Sequence, residues 1–249
     1  MATIACQDKI FSDIEAIIFD KDGTLEDSSY FLKVLSYERA KFIGQKIPAA
    51  EALFLQAQGL KDDYLDPTGL MAVGSNRDNL LVAAGILAYC GESWLPALHL
   101  AEDAFAQASA NTMDHRVASA MFEGCRELFH HLTQGGLKLG ILSADSTENV
   151  NKFIDRHQLR SQISLGMGGD QTFHKPDPRL FHQTCELMGV KPDRVIMVGD
   201  AQGDIVMAQR ANAGGTIGIC WHKYKIDACH LDNADVTIDH LNQIQVIAP

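Results

Sequence analysis

The sequence predicts an α/β fold, a doubly wound parallel sheet interrupted by a wholly helical insertion. Short apolar runs rich in β-branched residues alternate with amphipathic stretches of ten or so residues through the second half of the chain. A similar run, Ala16 to Phe19, stands alone near the start. Between them, residues 31–111 have a helical pattern and no convincing strand. A segment of this length is too long for a loop. We therefore expect an inserted domain.

The predicted elements follow in chain order from these patterns. Residues 1–13 read as an irregular approach to the first strand. Helices are expected from residue 31, over 49–58, 79–90 and 93–111, and then over 123–134, 147–157, 177–188 and 205–212. The later strands are expected at 138–143, 163–167, 195–198, 216–220 and 236–238. This organisation predicts a core of residues 1–28 and 115–249 and a helical domain of residues 29–114.

Composition limits the classes of partner. The 249 residues carry a net charge of −11, which argues against binding nucleic acid or an anionic membrane surface. No signal peptide or membrane-spanning run is apparent, and the six cysteines are scattered, as is typical of reduced thiols. These features predict a cytoplasmic location and carry no signal for an oligomeric state. A cluster of Cys220, His222, Cys229 and His230 fits no common zinc spacing, so we interpret it as chance.

The most informative stretch follows the first apolar run and reads Asp20-Lys21-Asp22-Gly23-Thr24. In an extended chain Asp20 and Asp22 project together and Lys21 points away. Two such carboxylates need a cation, and oxygen ligands favour Mg²⁺. Gly23 permits a sharp turn that leaves N–H groups for an anion. The alternative is a strand that ends in a solvated acidic turn.

Three further groups lie where predicted strands meet loops, the edge at which such sheets bind ligands. Ser143 follows a strand and can donate to a phosphate oxygen, or it can satisfy the backbone of the next helix. Lys175, extended because a proline follows it, can neutralise a phosphate, or it is an exposed loop lysine. Asp200 and Asp204 can hold a metal ion, brace Lys175, or cap a helix.

Together these residues form a pattern, D-x-D-G-T-L, strand-Ser, Lys-Pro and G-D-x-x-x-D, that resembles the four-motif set of the haloacid dehalogenase superfamily. The stretches 25–28, 123–124 and 175–178 are similar to the phosphoglycolate-phosphatase-like branch. The resemblance implies a Rossmann-like catalytic core with a helical cap domain placed after the first motif. Two positions depart from the pattern: Lys21 is unusual between the two acids, and Ala144 stands where many relatives carry Asn.

The resemblance also implies a role for each matched residue. Asp20 would attack phosphorus to form an aspartyl-phosphate, and Asp22 would protonate the leaving alkoxide and later activate water. Ser143 and Lys175 would hold the phosphate oxygens. Gly23 and Ala144 would contact substrate through their loops.

Mg²⁺ is the cofactor that the resemblance implies. Its ligands would be Asp20, the carbonyl of Asp22 and Asp200, with Asp204 behind them.

Specificity is expected from the cap, which would close over the site. Asn76 and Arg77, at a predicted helix start, are candidates to contact the leaving part of the substrate, or else Asn76 caps the helix and Arg77 is solvated. We expect a small-molecule phosphate ester such as phosphoglycolate, a sugar phosphate or a nucleoside monophosphate. The alternatives are a phosphosugar mutase or a non-catalytic phosphate-sensing protein; a dehalogenase or phosphonatase would have no need of Asp22.

Overall fold

A computed structural model describes residues 1–169, 172–221 and 228–247, with the side chains of residues 228 and 229 excepted. The chain divides into two compact units. The first contains Met1–Glu26 and the chain from Met121 onward, and the second is Asp27–Ala120. The sequence-based boundaries fell after residues 28 and 114, a few residues away from these.

The first unit begins with three strands. They are β1 (Ala2–Cys6), β2 (Lys9–Ile14) and β3 (Ala16–Phe19). The predicted first strand is thus found with the expected bounds, but the approach to it is regular, because β1 and β2 pair as antiparallel strands.

The second unit is mainly helical. Its elements are α1 (Ser29–Lys46), α2 (Pro48–Ala57), β4 (Leu60–Lys61), β5 (Tyr64–Leu65), α3 (Leu70–Val73), α4 (Asn76–Tyr89), α5 (Trp94–Asn111) and α6 (Met113–Val117). The expectation of no strand here was wrong, since β4 and β5 form a small antiparallel hairpin. The rings of Phe54 and Phe105 pack edge to face, with centroids 6.1 Å apart, inside a core of this unit.

The remainder of the first unit alternates helices and strands. In chain order it contains α7 (Cys125–Gln134), β6 (Lys138–Leu142), α8 (Thr147–Arg156), β7 (Ile163–Met167), α9 (Pro178–Met188), β8 (Val195–Gly199), α10 (Gln202–Arg210), β9 (Gly215–Ile219), β10 (Val236–Ile238) and β11 (Ile244–Ile247). The predicted helix α9 begins as expected, with Asp177 as its N-cap and Pro178 in the first turn.

Two sheets organise this unit. A parallel sheet has the strand order β10-β9-β8-β3-β6-β7, and a separate antiparallel sheet has the order β11-β1-β2. The fold class predicted from the sequence, a doubly wound parallel sheet, is confirmed. Strand β11 was not predicted.

Strand β3 is buried on both faces of the parallel sheet. Ile17 and Phe19 lie in one core cluster, where Phe19 contacts the ring of Phe129 of α7 with centroids 5.3 Å apart. Ala16 and Ile18 lie in a second cluster on the opposite face. This burial explains why the strand reads as an unbroken apolar run rather than as an alternating pattern.

The strand order places β3 at the switch point of the sheet. From β3 the chain passes to β6 and β7 on one side, and then returns to β8, β9 and β10 on the other. The register aligns Phe19 with Ile141 of β6 and with Val198 of β8. The loops after these three strands therefore start side by side, which is where doubly wound sheets bind ligands. In the part of the chain that the structure describes, no helix is long and apolar enough to cross a membrane.

Candidate active site

Three aspartates meet at the carboxyl edge of β3 and β8. Asp20 follows β3, Asp200 follows β8, and Asp204 lies in the first turn of α10. The backbone N–H of Asp20 donates to the carbonyl of Val198 at 2.8 Å, which extends the pairing of the two strands to the site. One carboxylate oxygen from each aspartate lies within 4.8 Å of the others, a spacing that could hold a metal ion.

Lys175 lies beside this triad. Its Nζ is 2.6 Å from Oδ1 of Asp20 and 2.6 Å from Oδ1 of Asp204, and its side chain is only 8% exposed. Burial opposes its charged form, but Asp20 and Asp204 outweigh that effect and raise the pKa of Lys175 above its ordinary value. Asp204 also accepts from the backbone N–H of Ala201, so it caps α10 and braces the lysine at once.

The triad is electrostatically strained without a further cation. The pKa of Asp20 is raised to about 7, chiefly by burial; Asp204 and Asp22 add to the rise, and Lys175 opposes it. Burial, with Asp20 and Asp204 nearby, also raises the pKa of Asp200 well above its usual range, although Thr24 Oγ1 donates to this carboxylate at 3.0 Å. A divalent cation would favour the ionised form of each carboxylate. The donor set is all oxygen, which fits a hard cation.

Gly23 makes room for the triad. Its φ of +81° is a left-handed conformation, and a Cβ at this position would lie 2.0 Å from Oδ2 of Asp200. The indole N–H of Trp221 donates to the carbonyl of Gly23 at 3.0 Å and so fixes the turn. The N–H of Gly23 itself donates to the carbonyl of Glu26 at 2.9 Å, so the loop closes on itself. That the turn leaves other N–H groups for an anion, and that Gly23 contacts substrate, stay predictions.

Ser143 follows β6 and is almost fully buried. Its Oγ accepts from the N–H of Asp145 at 3.1 Å, as the alternative for a helix-start serine predicted. The hydroxyl hydrogen can still donate, so this contact is compatible with holding a phosphate oxygen. Ala144 lies in the same loop and is half-buried.

Lys21 does not point away from the two acids. Its Nζ lies 2.6 Å from Oδ2 of Asp22, and it also contacts Glu26 and Asp145. The alternation rule holds inside a strand, but β3 ends at Phe19 and the chain bends at Lys21. Asp22 is accordingly held by Lys21 and does not join Asp20, Asp200 and Asp204 in the described carboxylate cluster.

The comparisons with known proteins agree with this arrangement. The family model of the haloacid dehalogenase-like hydrolases matches residues 14–212. The chain belongs to the haloacid dehalogenase-like hydrolases. The resemblance inferred from the motifs is thereby confirmed, and the protein is an enzyme of the hydrolase class.

Curated relatives and solved structures extend the likeness beyond that match. A phosphoglycolate phosphatase of Vibrio parahaemolyticus is 23% identical over 95% of this chain and 97% of its own. A crystal structure described as a predicted phosphoglycolate phosphatase of Haemophilus somnus has a TM-score of 0.62 and 19% identity, covering 92% of this chain and 95% of its own. A β-phosphoglucomutase of Clostridium difficile has a TM-score of 0.64 and 19% identity, with 92% of each chain covered. The two structures show that the fold is shared.

The second unit of this haloacid dehalogenase-like hydrolase contains the two cap candidates. Asn76 and Arg77 are exposed in the first turn of α4. The cap of α4 is Ser75 rather than Asn76, since Ser75 accepts from the N–H of Asp78 and Asp78 bonds back to Ser75. The side-chain oxygen of Asn76 accepts from Arg39 at 2.6 Å. A role for Asn76 and Arg77 toward substrate stays a prediction.

The cysteine and histidine cluster near residue 220 is only partly described. His222 and the side chain of Cys229 lie outside the described residues, and the ring of His230 contacts the carbonyl oxygen of Asp200 at 3.1 Å.

Several residues that support the site were not found from the sequence. The hydroxyl of Thr24 contacts Asp200, and the indole of Trp221 contacts the carbonyl of Gly23. Glu26 and Asp145 contact Lys21, and Arg156 pairs with Glu26. Thr24 could have been identified from its place in the first motif. Trp221, Asp145 and Arg156 carry no local signal, because each contacts a partner that lies far away in the chain.

Proposed function

We propose that the protein is a Mg²⁺-dependent phosphatase that hydrolyses a small-molecule phosphate monoester through an aspartyl-phosphate, with phosphoglycolate or a similar small organophosphate as the favoured substrate. The observation that carries the proposal is Asp20, a buried carboxylate at the sheet switch point, paired with Lys175 beside two further aspartates. The family and the curated relative named as a phosphoglycolate phosphatase support the choice of substrate.

The charges around Lys175 support Mg²⁺ as the cofactor. Asp20, Asp200 and Asp204 share one ammonium group, so two negative charges are left unbalanced when all three carboxylates are ionised. A divalent cation held by Asp20 and Asp200, with the Asp22 carbonyl and Asp204 in support, would balance them. When bound, Mg²⁺ would neutralise charge on the phosphoryl group and align it with Asp20.

The chain's own residues supply the chemical steps. A carboxylate oxygen of Asp20 attacks phosphorus, and the bond from phosphorus to the ester oxygen breaks. Asp22 gives its proton to the departing alkoxide. It then takes a proton from the water that attacks the aspartyl-phosphate, which releases inorganic phosphate and restores Asp20. Lys175 and Ser143 hold the phosphate oxygens throughout.

The test is phosphate release from a panel of small phosphate esters, measured with Mg²⁺ and with EDTA. We expect release that depends on Mg²⁺ and is greatest for one compound, with phosphoglycolate the first candidate. No release from any ester would contradict the phosphatase.

Phosphoryl transfer between sugar phosphates is the alternative that uses the same four motifs, because the aspartyl-phosphate can be attacked by a sugar hydroxyl instead of water. The chain also shares its fold with a β-phosphoglucomutase. Isomerised sugar phosphate without release of phosphate would favour the mutase. Phosphate binding without either reaction would favour a non-catalytic sensor. The predicted cytoplasmic location and the absence of nucleic-acid and membrane partners stay predictions.

A further inference from the structure

The residue between the two acids of the first motif forms a second buried charge cluster. The side chain of Lys21 is only 3% exposed, and its Nζ lies 2.6 Å from Oδ2 of Asp22, 3.3 Å from Oε2 of Glu26 and 3.4 Å from Oδ2 of Asp145. An ammonium group has three N–H donors, and here three carboxylates face it.

Two of these carboxylates are fixed by other parts of the core. Glu26 pairs with the guanidinium of Arg156, near the end of α8. Asp145 Oδ1 accepts from the N–H of Ser146 at 2.8 Å and from Nδ2 of Asn149 at 2.7 Å, which ties it to the start of the same helix. Lys21 is thus held on one side by groups that are themselves anchored.

Asp22 differs from the other two partners of Lys21. Its side chain is 22% exposed, against 4% for Glu26 and 15% for Asp145. The proposed mechanism needs one Asp22 oxygen to reach both the leaving group and the attacking water. A contact of 2.6 Å to Oδ2 restricts rotation of the carboxylate, so Oδ1 is the oxygen that would carry the transferred proton.

We propose that Lys21 is a positioning residue that fixes the carboxylate of Asp22 for proton transfer. This inference rests on the proposed phosphatase function and deepens it. Lys21 touches neither the phosphate nor the nucleophile in this account. Its effect passes through the orientation of Asp22.

The inference predicts a dependence on the leaving group. Cleavage of an alkyl phosphate expels a strongly basic alkoxide, so it needs the proton of Asp22. Cleavage of p-nitrophenyl phosphate expels a weakly basic phenolate that departs without that proton. A loss of positioning should therefore slow the first reaction far more than the second, whereas general damage to the fold would slow both alike.

The test compares kcat/KM of wild type and Lys21→Met for phosphoglycolate and for p-nitrophenyl phosphate. This parameter reports steps up to departure of the leaving group, so the later hydrolysis of the aspartyl-phosphate does not enter. We expect kcat/KM for phosphoglycolate to fall roughly 10- to 100-fold, which is part of the roughly 10²- to 10⁴-fold that general acid–base catalysis contributes, and that for p-nitrophenyl phosphate to fall less than about three-fold.

Arg156→Met is the matched control. It removes the other cation of the same cluster but no contact to Asp22, so the ratio of the two kcat/KM values should stay at the wild-type value. Because Lys21→Met leaves buried carboxylates without their cation, the variant can fail to fold. The double variant Lys21→Met/Glu26→Gln removes one charge of each sign and frees Asp22 in the same way, and it is expected to show the same change in ratio.

The outcomes separate the two proposals. Equal falls on both esters, no fall, or a faster variant would overturn the role of Lys21 while the phosphatase stands. The same change of ratio in Arg156→Met would also overturn it, since the cluster's charge and not the contact to Asp22 would then be the cause. A wild-type protein that releases phosphate from no ester of the panel would remove the phosphatase itself and this inference with it.

Discussion

Two buried lysines each contact several carboxylates: Lys21 is part of the first motif, and Lys175 contacts Asp20 of that motif. Lys175 faces Asp20 and Asp204, with Asp200 nearby; Lys21 faces Asp22, Glu26 and Asp145. Arg156 adds a second cation to the Lys21 cluster. The Lys175 cluster has no second cation among the contacts that the structure describes, so its charge is balanced less completely.

The difference indicates what each cluster can do. Burial, with the neighbouring carboxylates, raises the pKa of Asp20 and of Asp200, which is the condition in which a site gains most from a bound cation. In the Lys21 cluster the charges are more nearly balanced, and their contacts fix the side chains in place. We therefore interpret the Lys175 cluster as the site that binds metal and reacts, and the Lys21 cluster as its support.

The first prediction concerns Asp20, the proposed nucleophile in the Lys175 cluster. Asp20→Asn removes the attacking oxygen, so we expect kcat for the best phosphate ester to fall by at least about 10³-fold. The variant should fold, because the new amide is neutral and has the same shape as the carboxylate. The carboxylate that it replaces is buried and has a raised pKa, so its charged form is disfavoured already. Steady-state kinetics and thermal unfolding measure the two effects.

The control for this variant is Asp8→Asn, at an exposed turn between β1 and β2, which should leave kcat unchanged. A near wild-type rate in Asp20→Asn would remove Asp20 from the role of nucleophile.

The second prediction concerns Lys175, the cation of the Lys175 cluster. Lys175→Met leaves three close carboxylates without their ammonium group, so at pH 8 without Mg²⁺ we expect the free energy of unfolding to fall by about 3–5 kcal/mol. Denaturant unfolding measures the change, and Lys9→Met, which removes an exposed ion pair with Asp235, should cost less than about 1 kcal/mol. Equal losses in the two variants would show that the burial of Lys175 has no energetic consequence.

The third prediction uses pH to test the raised pKa of Asp20 in the Lys175 cluster. The pKa of Asp20 is about 7 in the folded protein and about 4 when unfolded, so the folded state binds more protons between these values. The contribution of Asp20 to the stability of the metal-free protein should therefore be greatest below about pH 4, fall as pH rises toward 7, and level off above it. Saturating Mg²⁺ should raise the melting temperature by roughly 5 °C or more at pH 8 and by less at pH 5.

Thermal unfolding of EDTA-treated protein at the two pH values, with and without added Mg²⁺, measures this difference. An equal effect of Mg²⁺ at both values would contradict a metal site built on Asp20. Asp20→Asn gives the matched control, since it should reduce the dependence on pH.

The fourth prediction has the smallest effect and tests the space beside Asp200. Gly23→Ala places a methyl group where Oδ2 of Asp200 lies, so we expect the affinity for Mg²⁺ to fall about 10- to 100-fold. Gly136→Ala is the control, because Gly136 has a similar φ of +78° with no atom within 4 Å of the added Cβ. Titration of activity with Mg²⁺ measures the shift, and equal behaviour of the two variants would assign the effect to backbone strain alone.

The fold could be predicted where sequence signals are local. Strand β3 reads correctly because it is apolar throughout and ends abruptly at Asp20. Strands β1, β2 and β11 are half-exposed, and β1 pairs Thr3 with Ile247 from the other end of the chain. Such pairing leaves no periodic signal within either segment, so the antiparallel sheet escaped prediction.

That the aspartates of the Lys175 cluster meet was predictable for a related reason. Asp20 and Asp200 each follow a strand, and the carboxyl ends of neighbouring parallel strands must meet. The Lys21 cluster was not predictable. The alternation rule was applied to residues 20–22, beyond the strand that justifies it, and Arg156 comes from the end of a helix with no motif.

The ends of the inserted unit have a consequence for how such proteins diversify. The N–H of Asp27 donates to the carbonyl of Ala120 at 2.9 Å, so the segment leaves and rejoins the chain at one point, beside the bridge between Glu26 and Met121. A short linker could span that gap. The insertion can therefore be exchanged or redesigned as a unit without a change in the strand order of the parallel sheet.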